Sequence, residues 1–106
     1  MKKTLEVGLI KGRHPLPVNE YIFDKIEDVL DFSTMRNTVD SFFKNIKEEP
    51  KEIIVYVTGL TAATATVIAS FVTKWWGDTT LSFMHYDVKN GNYKKQFVVR
   101  SFSQED

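Results

Sequence analysis

Apolar residues fall in short blocks whose period changes along the chain. Thr4 to Ile10 is short and β-favouring and stops at Lys11-Gly12, which predicts a first strand. In Arg13-His14-Pro15-Leu16-Pro17 each proline pushes its predecessor out of the helical region, so an extended connection is expected. From Asn19 onward, Ile22, Ile26, Val29 and Leu30 recur at helical spacing with Asp24, Glu27, Asp28 and Asp31 on the other side, predicting a short amphipathic helix. Ser33 is expected to cap a second helix with the stripe Met35, Val39, Phe42, Phe43 and Ile46. Lys44 and Lys47 suit its C-terminal end, and Pro50 prevents continuation.

The β-branched run Ile53-Ile54-Val55-Tyr56-Val57 is hydrophobic on both faces, as a central parallel strand would be. It breaks at Thr58-Gly59-Leu60-Thr61 and restarts as an Ala/Thr-rich helix over residues 61–76, with Gly77 expected to end it in the left-handed conformation. A strand over 81–88, a turn at Lys89-Asn90-Gly91-Asn92 and a return strand over 93–102 complete the pattern. The expected fold is a single α/β domain spanning residues 1–106: a small mixed four-stranded sheet with a right-handed βαβ unit, a C-terminal hairpin and covering helices.

Charge narrows the range of partners. Lys plus Arg and Asp plus Glu both number 14, so no global basic excess exists to hold duplex nucleic acid through its phosphates. Cysteine is absent, which removes disulfides and thiolate metal sites. Leu5 to Ile10 contains Glu6 and stops at Lys11, too short for a signal sequence after Met1-Lys2-Lys3, and no run approaches the ~20 apolar residues that span a bilayer. The expectation is a cytoplasmic protein without a membrane partner.

Several positions carry candidate chemistry. At the Thr58-Gly59-Leu60-Thr61 turn, Gly59 permits close backbone approach, Thr58 and Thr61 supply hydroxyls, and the helix amides would face an anion; a plain strand-to-helix turn is the alternative. Alternation along the next strand would put His85 and Asp87 on one face, where Asp87 could raise the basicity of His85; a histidine satisfied within the sheet and a turn-forming Asp87 are the alternatives. Arg13 and His14 would reach the same rim if the first strand is parallel to its neighbours, with Arg13 positioned to neutralise phosphate. Asp24, Glu27, Asp28 and Asp31 could present carboxylates to a hard cation, although the wet face of any amphipathic helix looks the same, and no metal or cofactor is expected. Trp75 or Trp76 is the candidate anchor of a homodimer.

The order of strand, Gly-containing turn, helix, strand ending in an aromatic-Asp pair, and return strand resembles the small CRISPR-associated ring nucleases and the CARF domains that sense cyclic oligoadenylates. The matching residues are Thr58, Gly59 and Thr61, then Tyr86, Asp87 and Gly91. The resemblance covers less than half the chain and implies a dimer holding a cyclic oligonucleotide across its two-fold axis. Leu60 stands where a basic residue would be expected, and Phe71 to Trp76 contains no histidine, so binding without turnover fits better than catalysis. The expected function is recognition of an anionic nucleotide-like ligand through Arg13, Thr58, Gly59, Thr61, His85 and Asp87. A protein-interaction module of a mobile element or defence locus and a small phosphodiester hydrolase are the alternatives.

Overall fold

The computed structural model describes residues 3–12, 17–75 and 77–100. Its elements are β1 (Thr4–Ile10), β2 (Tyr21–Phe23), α1 (Phe32–Lys44), β3 (Glu52–Tyr56), α2 (Thr61–Lys74), β4 (Thr80–Asp87) and β5 (Asn92–Val99). The strands make one five-stranded sheet in the order β2-β1-β3-β4-β5, in which β5 alone runs antiparallel to its neighbour. The mixed α/β class holds, and β3–α2–β4 is the βαβ unit.

The sheet has one strand more than the expected four. Tyr21-Ile22-Phe23, placed by its spacing in a helix, pairs with β1 instead: the amide of Gly8 donates to the carbonyl of Glu20 at 2.8 Å and that of Lys11 to Phe23 at 3.0 Å. A three-residue strand is too short to show a period, so Ile26, Val29 and Leu30 downstream supplied a helical spacing that no helix uses. Asp24, Glu27, Asp28 and Asp31 consequently share no helical face. Asp28 accepts the amide of Asp31 at 3.1 Å and closes a turn. Asp31, rather than Ser33, caps α1 by accepting from the amide of Thr34 at 3.1 Å and from its hydroxyl at 2.8 Å.

Helix α2 ends at Lys74, and Trp75 is already extended. Gly77 is not left-handed. A Cβ there would collide with the side chain of Glu49, whose carboxylate accepts from the amide of Asp78, so glycine serves close approach rather than helix termination.

Both helical crossovers step the same way across the sheet, so the usual right-handed connection puts α1 and α2 on one face, where they pack together. There Met35, Val39 and Phe43 of α1 and Ala63, Val67 and Phe71 of α2 join Val7, Leu9, Ile53, Val55, Leu81 and Phe83 in a single core. Each of the larger side chains contributes roughly 1.5–3 kcal/mol through burial. Trp75 packs edge-on to Phe43 and stacks on Phe71, with centroids 6.0 and 6.1 Å away, so its ring serves the core; Trp76 lies outside the described residues. The opposite face covers itself with polar pairs. Glu52 accepts from Lys95 at 2.9 Å and from the hydroxyl of Ser82 at 2.6 Å.

One polar clamp joins the helices. Ser70, fully buried, donates to the carboxylate of Asp40, which also accepts from Arg36 Nε at 2.9 Å, while Arg36 Nη2 donates to Thr73 at 2.6 Å. The Ser70 hydrogen bond, with help from Arg36 and Lys74, holds the Asp40 carboxyl below its ordinary range. A depressed folded-state value means this contribution is complete above the unfolded carboxylate range and disappears as pH falls through the folded value. Ser70→Ala should therefore cost about 1–2 kcal/mol in denaturant titrations at neutral pH and distinctly less at about pH 3. Equal losses at both would place the cost elsewhere.

Candidate functional site

Parallel pairing of β1, β3 and β4 brings their carboxyl ends to one rim, where an open α/β sheet presents its connecting loops. Past β3 the chain stays extended through Val57, whose amide donates to Met84 at 3.1 Å, then crosses Thr58-Gly59-Leu60 into α2. Gly59 has φ of +82°, a conformation costly for residues with a side chain, and no other heavy atom lies within 4 Å of where a Cβ would sit. The space above the turn is therefore open.

The N-terminus of α2 differs from that of α1. Its cap position is Leu60, which has no side-chain acceptor, and the first intrahelical bond runs from Thr64 to Leu60 at 2.9 Å. The amides of Thr61, Ala62 and Ala63 precede that bond without a side-chain cap. Unpaired amides at the positive end of a helix dipole attract anions.

Beside this turn lies an open cleft of about 710 Å³ lined by Val57, Thr58, Gly59, His85, Tyr86, Val88 and Tyr93. That volume falls within the ~300–1,000 Å³ usual for small-molecule sites. Its aromatic wall is built by sheet register. Tyr86 and Tyr93 are direct partners across the hairpin with ring centroids 5.2 Å apart, and Tyr93 meets Tyr56 edge-on at 5.1 Å. Tyr56 is fixed in turn by donating its hydroxyl to Glu6 at 2.9 Å. The Thr58 hydroxyl is shielded from solvent and has no hydrogen-bond partner among the described residues. Such an atom is normally satisfied, so a small shift of the turn that exposed it would let it pair with a bound group.

The sequence-predicted residues divide. Thr58, Gly59 and His85 line the cleft, whereas Thr61 is exposed on a groove immediately beyond Gly59. His85 Nε2 lies 2.7 Å from Gln96 Oε1, which makes the ring N–H the donor, and the ring rests edge-on to Phe83. Asp87 accepts from the amide and side chain of Asn90 at 3.2 and 2.7 Å, and its carbonyl accepts from Gly91 at 2.8 Å; it shapes the hairpin turn. His85 and Asp87 thus have separate partners, and the expected acid–base couple is not assembled. Arg13 and His14 lie outside the described residues. Tyr93 and Val88 had no assigned part in the sequence reading. A two-residue Asn90-Gly91 turn would have set Tyr93 opposite Val88; the four-residue turn over 88–91 sets it opposite Tyr86 instead.

Among the described residues, no group of three or more His, Asp or Glu is placed to hold a metal ion, and no helix is long and apolar enough to cross a membrane. Comparison with protein-family models, curated proteins and solved structures finds no match. The chemistry of the rim is the remaining guide to function.

Burial, and then the hydrogen bond to Glu6, pushes the Tyr56 hydroxyl up to about 12. A raised folded-state value favours the protonated native state below the unfolded tyrosine range near 10, and that advantage is lost as pH rises from there toward about 12. Ultraviolet titration of tyrosinate should show one late-ionising tyrosine. Glu6→Gln should bring its midpoint down, and an unchanged midpoint would show that burial alone sets it.

Proposed function

We propose that this domain binds a small nucleotide-like ligand of low negative charge in the cleft between the Gly59 turn and the β4–β5 hairpin, without turning it over. The reading rests on one juxtaposition: an uncapped helix N-terminus reached across a glycine from a cleft with an aromatic wall and an unsatisfied threonine hydroxyl. Aromatic faces accept a base by stacking, worth about 1–3 kcal/mol per base in single-strand binders. The amides at the start of α2 donate to a phosphate oxygen. No Lys or Arg is among the described lining residues, which favours a monophosphate or a phosphodiester over a polyphosphate.

Absence of turnover is part of the proposal. His85 is tied to Gln96, and no described residue around it forms a nucleophile–base pair of the kind hydrolysis requires. The resemblance to CARF domains and ring nucleases makes a cyclic oligoadenylate the first ligand to test, and a homodimer sharing it belongs to the same proposal. Light scattering with and without that ligand reads the second point.

Glycine is a poor test position, because any side chain at φ +82° strains the turn whatever it does to binding. Thr61→Glu separates the two effects. Thr61 is exposed at the first helical position, where a carboxylate stabilises the helix by about 0.3–1 kcal/mol while repelling an anion. Titration with adenosine monophosphate and cyclic oligoadenylate should shift the wild-type amide resonances of residues 59–63. Thr61→Glu should weaken binding at least tenfold without lowering Tm. Shifts that avoid residues 59–63, or full affinity in Thr61→Glu, would end the phosphate assignment.

A further inference from the structure

The turn between β2 and α1 inverts the usual chemistry of turn tips. The Asp28 carbonyl accepts the amide of Asp31, and its carboxylate accepts the amide of Leu30 at 2.9 Å, which leaves Val29 and Leu30 at the two central positions. Glycine, proline, asparagine, aspartate and serine dominate such positions. Here Val29 is 50% exposed and Leu30 71%, and Phe32 immediately beyond is 56% exposed. Three large apolar side chains thus face solvent from a backbone already held in shape, so ordering them on contact costs little.

The ground behind the tip is apolar and small. A groove of about 210 Å³ runs between Ile26, Leu30, Met35, Leu60 and Ala62. It is below the ~300 Å³ at which small-molecule sites begin, and suits a single side chain. Across Ile26 and Met35 lies a second cleft that carries the carboxylates of Glu27, Asp28 and Asp31. Its one lysine, Lys25, is 2.9 Å from Glu27. Apolar tip, apolar groove and acidic cleft therefore adjoin one another.

We propose that this surface docks a basic amphipathic helix of another protein, which seats an apolar side chain in the groove beside Leu30 and sets Lys or Arg against the acidic cleft. Helix-in-groove recognition uses this combination. An anionic membrane surface has the wrong charge. A second copy would bring the acidic cleft against itself. The groove adjoins the proposed nucleotide cleft at Gly59 and is lined in part by Thr61 to Ala63, but the proposal does not rest on the proposed ligand.

The test uses the full chain and three synthetic helical peptides: Leu/Lys amphipathic, Leu/Glu amphipathic and Ser/Lys. Amide resonances of residues 26–32 should shift with the Leu/Lys peptide, the affinity should fall with added salt, and Leu30→Ser should weaken it at least tenfold. Leu30 is exposed, so the fold should persist; Val29→Ser serves as the second variant, with the same expected direction. Equal binding of the Leu/Glu peptide would remove the charge argument, and equal binding of the Ser/Lys peptide would remove the groove. Unchanged affinity in both variants would overturn the site, as would a Leu30-dependent dimer or binding to zwitterionic vesicles without peptide binding.

Discussion

The position of β3 governs the rest of the structure. Residues 53–57 are buried throughout, which a strand achieves only with neighbours on both edges and cover on both faces. Those neighbours, β1 and β4, both run parallel to it, so three carboxyl ends reach the same rim. Parallel neighbours also require crossovers, and two right-handed crossovers stepping in one direction leave both helices on one face. The core, the rim and the self-covered opposite face all follow from that arrangement.

The sequence announced some of this well and some badly, for physical reasons. The β3–α2–β4 unit was legible because a β-branched run, an alanine-rich segment and another strand change period clearly at Gly59 and after Trp75. The α1 stripe was legible because Met35, Val39 and Phe43 repeat every four residues over a long helix. β2 was not, since three residues carry no period and the register that recruits them to β1 is a tertiary effect. The Asp31 cap was hidden by Ser33, an equally good capping residue two positions on; backbone geometry at Asp28 decided between them. At the site, Thr58, Gly59 and His85 reached the cleft, while Asp87 was drawn into the hairpin turn. Its carboxylate accepts from the amide and side chain of Asn90 there.

The two helices divide their polar obligations unevenly. α1 has a side-chain cap at Asp31 and the Asp40 clamp on its inner flank. α2 receives the Ser70 and Thr73 ends of that clamp but begins at Leu60 with no cap. A helix that gives up a cap forgoes about 1 kcal/mol, and here its other bonds and its burial make up the difference. The open amides sit where Gly59 removes the last side chain that could cover them. The tyrosine ladder shows the same logic on the opposite face: Glu6 fixes Tyr56, Tyr56 abuts Tyr93 and Tyr93 abuts Tyr86, so an exposed aromatic wall is held by a partly buried hydrogen bond two strands away.

Gly59 borders the proposed nucleotide cleft on one side and the Leu60 groove on the other, which gives the two proposed surfaces a common boundary. Their energetics are nevertheless different in kind. The cleft relies on a few oriented donors and rings, so its affinity depends on atom positions at the turn. The groove relies on apolar contact and on carboxylates spread over residues 27–31, so its affinity depends on salt and on Leu30. A partner helix seated by Leu60 lies at the α2 cap itself and brings positive charge toward the rim. Thr61 to Ala63 also line the groove, so a side chain seated there and an anion at those amides share space, and thermodynamic reciprocity makes whatever effect one has on the other's affinity mutual. That coupling arises from the shared lining and does not require the backbone to move.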